Sequence, residues 1–169
     1  GRNKAELDTM LAKLGPILAD TLATLEYVKI TGVASADGSL RINTPLSRNR
    51  ANSAMKWLVQ QLDIPAELQK RFSISSRPEG WGPVLEAMRA AGDPDTTAVA
   101  AILDKYADYN DDVQEYYIRR LDCWKRIRDN YLQKDRNVEY LYSYQIRSFT
   151  TDEELLEMYD RRPDAFSED

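Results

Sequence analysis

Between Leu25 and Ser76 the hydrophobic pattern changes period twice. Over Leu25 to Val33, Val28 and Ile30 point to one face while Tyr27, Lys29 and Thr31 point to the other, the alternation of a strand. Ala34 to Leu40 follows as a loop, with Asp37-Gly38 as its turn signal. Thr44-Pro45 then opens a helix: Thr44 can cap it, and Pro45 suits the first helical position, where a missing N–H costs nothing. The helix is predicted to reach about Leu62, with Leu46, Ala51, Ala54, Leu58 and Leu62 facing inward, and Ile64-Pro65 ends it. Arg71 to Ser76 returns to a short strand bearing Phe72 and Ile74 on one face. A strand, helix and strand in this order make a right-handed parallel unit, which commits the chain to an α/β arrangement with helix packed on sheet.

The flanks add helices and one more strand. Asn3 to Leu18 carries Leu7, Met10, Leu11, Leu14, Ile17 and Leu18 at helical spacing, with Pro16 expected to bend or end it early. Val84 to Ala91 and Thr97 to Tyr106 are predicted as short helices separated by Gly92-Asp93-Pro94. Asp111 to Leu132 is predicted as one long helix with Val113, Tyr117, Leu121, Trp124, Ile127 and Tyr131 as its apolar stripe, and Asp111 and Asp112 favouring its dipole. Val138 to Phe149 alternates as a strand, and Thr150 with Glu153 makes a capping box for a last helix over Asp152 to Tyr159. The expected architecture is a mixed sheet with helices packed on one face and a helical insertion, about 84–132, before the last strand. Residues 1–149 form the domain, and 150–169 supply a final helix and the start of a linker.

Composition removes several function classes. The chain carries no histidine, so a Ser-His-Asp arrangement and His-rich metal sites are absent. A net charge of −5 argues against nucleic acid, whose phosphates need a basic patch, and against a polybasic membrane surface. No apolar run approaches the roughly 20 residues of a membrane helix, so this segment is expected to make no direct membrane insertion. Cys123 is the only cysteine, excluding an intrachain disulfide, and its place beside Trp124 reads as a packed, inert thiol. Asp93-Pro94-Asp95 and Asn110-Asp111-Asp112 are oxygen-rich but lack the spaced ligands of a calcium loop, and helix capping accounts for both. The tyrosines read as aromatic core and rim rather than as a carbohydrate-stacking platform. The chain begins with Gly1, which suggests a tag remnant or a cut from a longer precursor.

One constellation carries chemistry. Thr31-Gly32-Val33-Ala34-Ser35-Ala36-Asp37-Gly38-Ser39 is followed by Asn43 and by Leu46-Ser47-Arg48-Asn49-Arg50-Ala51. Helical spacing puts Arg50 in line with Leu46 and Ala54, at the edge of an apolar face and toward the end of the preceding strand. A guanidinium there needs an anion, because an unpaired charge at such a place is costly. A guest carboxylate is one candidate; an internal ion pair to Asp37 or Glu79 is the other.

Gly32, Gly38 and Asn43, then Leu46-Ser47 with Arg50-Ala51, resemble the signature of the OmpA-like domain family over about Leu25 to Trp81. The resemblance implies a periplasmic, non-enzymatic domain without cofactor or metal, associated with the outer membrane through parts of the protein outside this chain. It also implies binding of the peptidoglycan stem peptide, with Arg50 taking a carboxylate of the ligand. The family's aspartate for the ligand's ammonium group falls on Ser35 here, which brings no charge; Asp37, two residues on, stands in the same loop. Asn43 belongs to the same signature; in the turn after the second strand, where the family often places another ligand-facing turn, Glu79 supplies a charge and Trp81 a wall, with plain surface structure as the alternative. Gly-x-Ala-Ser-x-x-Gly-Ser and Arg-Pro-Glu-x-Trp, with the long insertion, are similar to a subgroup from larger multi-domain envelope proteins of gut-type Gram-negative anaerobes. Arg162-Pro163-Asp164-Ala165-Phe166-Ser167 resembles the junction to a following helical-repeat region, as expected of a middle module. The alternative to a peptidoglycan anchor is an envelope scaffold, binding other envelope proteins, that keeps the fold without the ligand. Catalysis by a carboxylate pair finds no recognisable motif.

Overall fold

The computed structural model describes residues 2–132, 138–147 and 156. Helix α1 (Arg2–Ala19) leads into strand β1 (Ala23–Ala34), helix α2 (Leu40–Gln61), the single turn α3 (Ala66–Gln69) and strand β2 (Phe72–Pro78). Four short helices follow, α4 (Gly82–Ala90), α5 (Thr96–Lys105), α6 (Asp111–Ile118) and α7 (Trp124–Asn130), before strand β3 (Val138–Ile146). The sheet order is β2-β1-β3, with β1 parallel to β2 and antiparallel to β3. The fold is therefore α/β with a mixed sheet, and the parallel strand–helix–strand unit stands where the change of period placed it.

The described residues form two hydrophobic cores. In the first, α1 and α2 cover one sheet face, burying Leu14, Val28, Ile30, Ala51, Leu58 and Phe72 among others. Lys29 and Ser73 are exposed on the opposite face, and the Thr31 and Ser75 hydroxyls meet there at 2.8 Å. β1 pairs with β3 through a bulge at Glu26, where Leu25 opposes Tyr144 and Tyr27 opposes Ser143. The extra residue lets both Leu25 and Val28 face inward although they lie three apart. The second core, around Trp81, Met88, Val99, Ile118 and Ile127, belongs to α4–α7 and takes in Ala36 from the loop after β1.

Several expectations are corrected. α1 runs through Pro16 to Ala19 instead of stopping early. α2 begins at Leu40, so Pro45 lies within it and Thr44 is no cap. Leu46 is 42% exposed, and the inward positions are Asn43, Ser47, Ala51, Ala54 and Leu58. The long helix over Asp111 to Leu132 is two, α6 and α7, separated by a bend over 119–123. The outer part of the last strand and the helix with its capping box fall outside the described residues, apart from a helical Leu156.

Candidate functional site

Small residues seat α2 on the end of β1. A Cβ on Gly32 would lie 1.8 Å from the Ser47 carbonyl oxygen, so the helix backbone rests directly on the strand. Ser47 is fully buried, its hydroxyl donating to Thr44 O at 2.8 Å, and Ala51 is buried one turn on. In Leu46-Ser47-x-x-Arg50-Ala51, then, Ser47 and Ala51 do the packing, while Leu46 and half-buried Arg50 flank the contact.

The loop that follows β1 gathers Ser35, Asp37, Asn43 and Glu79. The Asn43 amide donates to Asp37 O at 2.8 Å and to Ser35 O at 3.4 Å, which pins the loop onto the first turn of α2. The Ser35 hydroxyl donates to the Asp37 carboxylate. Gly38 turns the chain at φ 81°, a conformation glycine adopts without steric cost. Glu79 N donates to Ala34 O at 2.7 Å, and the Glu79 carboxylate accepts from the Ala36 amide.

Three carboxylates from α6 close the same region. Gly38 N donates to Glu115 Oε2 at 2.9 Å, Leu40 N to Asp112 Oδ1 at 3.0 Å, and Gly80 N to Asp111 Oδ2 at 3.0 Å. Asp112 thereby caps α2, whose own N-cap residue, Ser39, makes no side-chain cap bond. The sequence reading assigned Asp111 and Asp112 only to their own helix, where Asn110 is in fact the cap, accepting from Val113 N. Partners 72 and 77 positions away leave no local pattern. Burial pushes the Glu79, Asp111 and Glu115 carboxyls up, against the amides of Ala36, Gly80 and Gly38 that pull them down. Trp81 forms no ligand wall: it is buried in the second core, its indole donating to Asp111 O at 3.2 Å.

Arg50 lies elsewhere. It lines a groove of about 500 Å³ with Glu6, Leu46, Asn49, Trp57 and Tyr140. Val138, also in the wall, pairs with Gly32, so the groove opens beside the end of β1 as helical spacing suggested. Its described lining includes none of Ser35, Asp37, Asn43 or Glu79. The guanidinium near Glu79 is that of Arg77, which holds the Glu139 carboxylate in a fork and keeps it below the ordinary carboxylate range. The Tyr140 hydroxyl, half-buried near Glu6, is pushed up to about 12 by burial first and by that negative charge second.

The oxygen-rich turns are structural. Asp93 is buried and accepts from the Asp95 amide, the Tyr131 hydroxyl and Arg126, an ion pair that ties the turn before α5 to α7 rather than a helix cap. Among the described residues no group of three or more His, Cys, Asp or Glu side chains could hold a metal, and no helix is long and apolar enough to cross a membrane. Cys123 is half-buried, its thiol pushed up by burial and by Asp95, which disfavours the reactive thiolate. Comparison with known proteins matches this chain to no family model, no curated protein and no solved structure.

Proposed function

We propose that the chain is a non-catalytic domain of the OmpA-like family, working in the periplasm and binding the peptidoglycan stem peptide through an arginine–carboxylate contact at Arg50. The observation that carries this reading is the groove between α1, α2 and β3. Its size suits a small ligand or a short peptide. Trp57, Tyr140 and Leu46 supply apolar walls, and Arg50 and Asn49 supply polar groups at one side. A charged contact to Arg50 contributes about 1.5–3 kcal/mol, roughly ten- to a hundredfold in affinity. Arg50→Ala is expected to abolish co-sedimentation with purified sacculi, and Arg50→Lys to restore it only in part, because an ammonium cannot offer a planar fork. Unchanged sedimentation of Arg50→Ala would defeat the proposal.

A second reading has its own support. The polar groups of the loop after β1 are bonded within the chain: Ser35 to Asp37, Asn43 to two carbonyls, Gly38 and Leu40 to α6. An envelope scaffold that contacts other envelope proteins and binds no stem peptide fits that arrangement. Titration with stem peptides differing in their third residue separates the two readings, since millimolar or tighter binding of any one of them rules out the scaffold.

A further inference from the structure

The two cores meet along a seam with an unusual composition. Ala36 crosses it as an apolar peg. Around that peg, three backbone amides on the sheet side (Gly38, Leu40 and Gly80) donate across to three carboxylates, those of Glu115, Asp112 and Asp111, while the Glu79 carboxylate ties the turn after β2 to the Ala36 amide. Three of these acids come from a single helix, α6, and lie on one side of its first turn and a half. The loop after β1 and the turn after β2 are thus fastened to the helical module by hydrogen bonds whose acceptors all carry titratable protons.

The charges facing these acceptors do not balance. Glu79 faces Asp37 and Asp111 as well as Arg77, and Arg77 is forked to Glu139. Asp111 faces Asp112. Glu115 faces Asp37 and Asp112, with Arg119 beside it at 3.2 Å but more than half exposed. Among the described residues, five carboxylates therefore share the seam with two guanidinium groups, one committed elsewhere and one largely in water. When all five are ionised they repel across a partly dry boundary, where such repulsion is screened far less than at a surface. A protonated carboxyl still accepts from a backbone amide through its carbonyl oxygen, so adding a proton relieves repulsion and desolvation at the cost of a weaker amide bond and, at Glu115, of the exposed Arg119 contact.

We propose that α4–α7 is clasped to the sheet by buried carboxylates that hold better once protonated, so that the seam tightens as pH falls from neutral and loosens as it rises. The sign follows from burial: Asp111 and Glu115 are buried, which disfavours their charged forms, and this outweighs the amide bonds that favour them. Groups held above their ordinary range contribute stability that is present below that range, at about pH 4, and is lost as pH rises through the folded-state value. The proposal concerns the attachment of the helical module and stands whether or not Arg50 binds a stem peptide.

Amide hydrogen exchange on the full chain, followed residue by residue and corrected for the intrinsic pH dependence of exchange, tests it. Protection at Gly38 and Gly80 is expected to rise by a factor of about three or more between pH 7.5 and about pH 4, while protection at Ile30, in the first core, stays level. Glu115→Gln keeps an acceptor for Gly38 but carries no charge; at pH 7.5 it is expected to raise Gly38 protection above that of the unaltered chain and to flatten its pH dependence. Glu115→Ala removes the acceptor and is expected to lower protection at both pH values. Level protection across the pH range in the unaltered chain, or a Glu115→Gln chain whose pH profile matches it, would overturn the proposal.

Discussion

Gly32 illustrates how a residue that resembles a binding-motif element earns its place by packing. The Ser47 carbonyl occupies the space where a side chain would begin, and both partners are backbone or backbone-bonded, so neither can swing aside. Gly32→Ala is expected to destabilise the fold by about 3 kcal/mol or more, because it lifts α2 from β1 along its length. Chemical denaturation measures it, and a loss below about 1 kcal/mol would mean that the helix rides up without cost. Asp93 is a second such residue. Burial alone would raise its carboxyl, yet the Asp95 amide, Tyr131 and Arg126 outweigh burial and hold it below the ordinary range. Asp93→Asn is expected to lower the melting midpoint at neutral pH, by leaving Arg126 with a weaker acceptor.

At the scale of elements, the legible parts were those whose cause is local. The alternation around Val28 and Ile30 and the periodicity of Ala51, Ala54 and Leu58 arise from neighbours along the chain, and the strand and helix stand where those patterns put them. The start of α2 was misplaced because its cap is Asp112, a residue of another helix, while Thr44-Pro45 imitates a local cap. The long helix over Asp111 to Leu132 failed for a related reason: its apolar residues continue at helical spacing across the bend, while α7 is tied to Asp93, a distant residue, through Arg126. The bulge at Glu26 likewise had no signal in a strand whose alternation was otherwise clean. Of the candidate site, the gathering of Ser35, Asp37 and Asn43 was legible from a compact motif. The separation of Arg50 from them, and the arrival of Asp111, Asp112 and Glu115, depend on how distant helices dock. Asp112→Ala is expected to cost about 1 kcal/mol, the usual worth of a helix N-cap, although the residue lies 72 positions from the helix it caps. A Ser39→Asp partner substitution should recover part of that loss in thermal melting, and failure to recover any would mean that Asp112 acts on something other than the α2 terminus.

Across the whole molecule, two groups of acids pull the pH dependence in opposite directions. Glu79, Asp111 and Glu115 favour the folded state more as they gain protons on the way down from neutral pH. Asp93 and Glu139, held below the ordinary range, contribute stability above about pH 4 that disappears as pH falls through their depressed folded values. The melting midpoint is therefore expected to climb as pH falls from 7.5 toward about pH 4 and to drop below it. Asp93→Asn should flatten the acid limb and leave the neutral limb in place; a midpoint highest at neutral pH would contradict this assignment. The pair of separate cores has a consequence of its own. A chain organised around two oily centres joined by polar fastenings has two ways to come apart, and the less firmly held half can open while the other stays shut. Denaturant curves that follow Trp81 in one half and Trp57 in the other need not coincide, and the lag between them would gauge how firmly the halves grip each other.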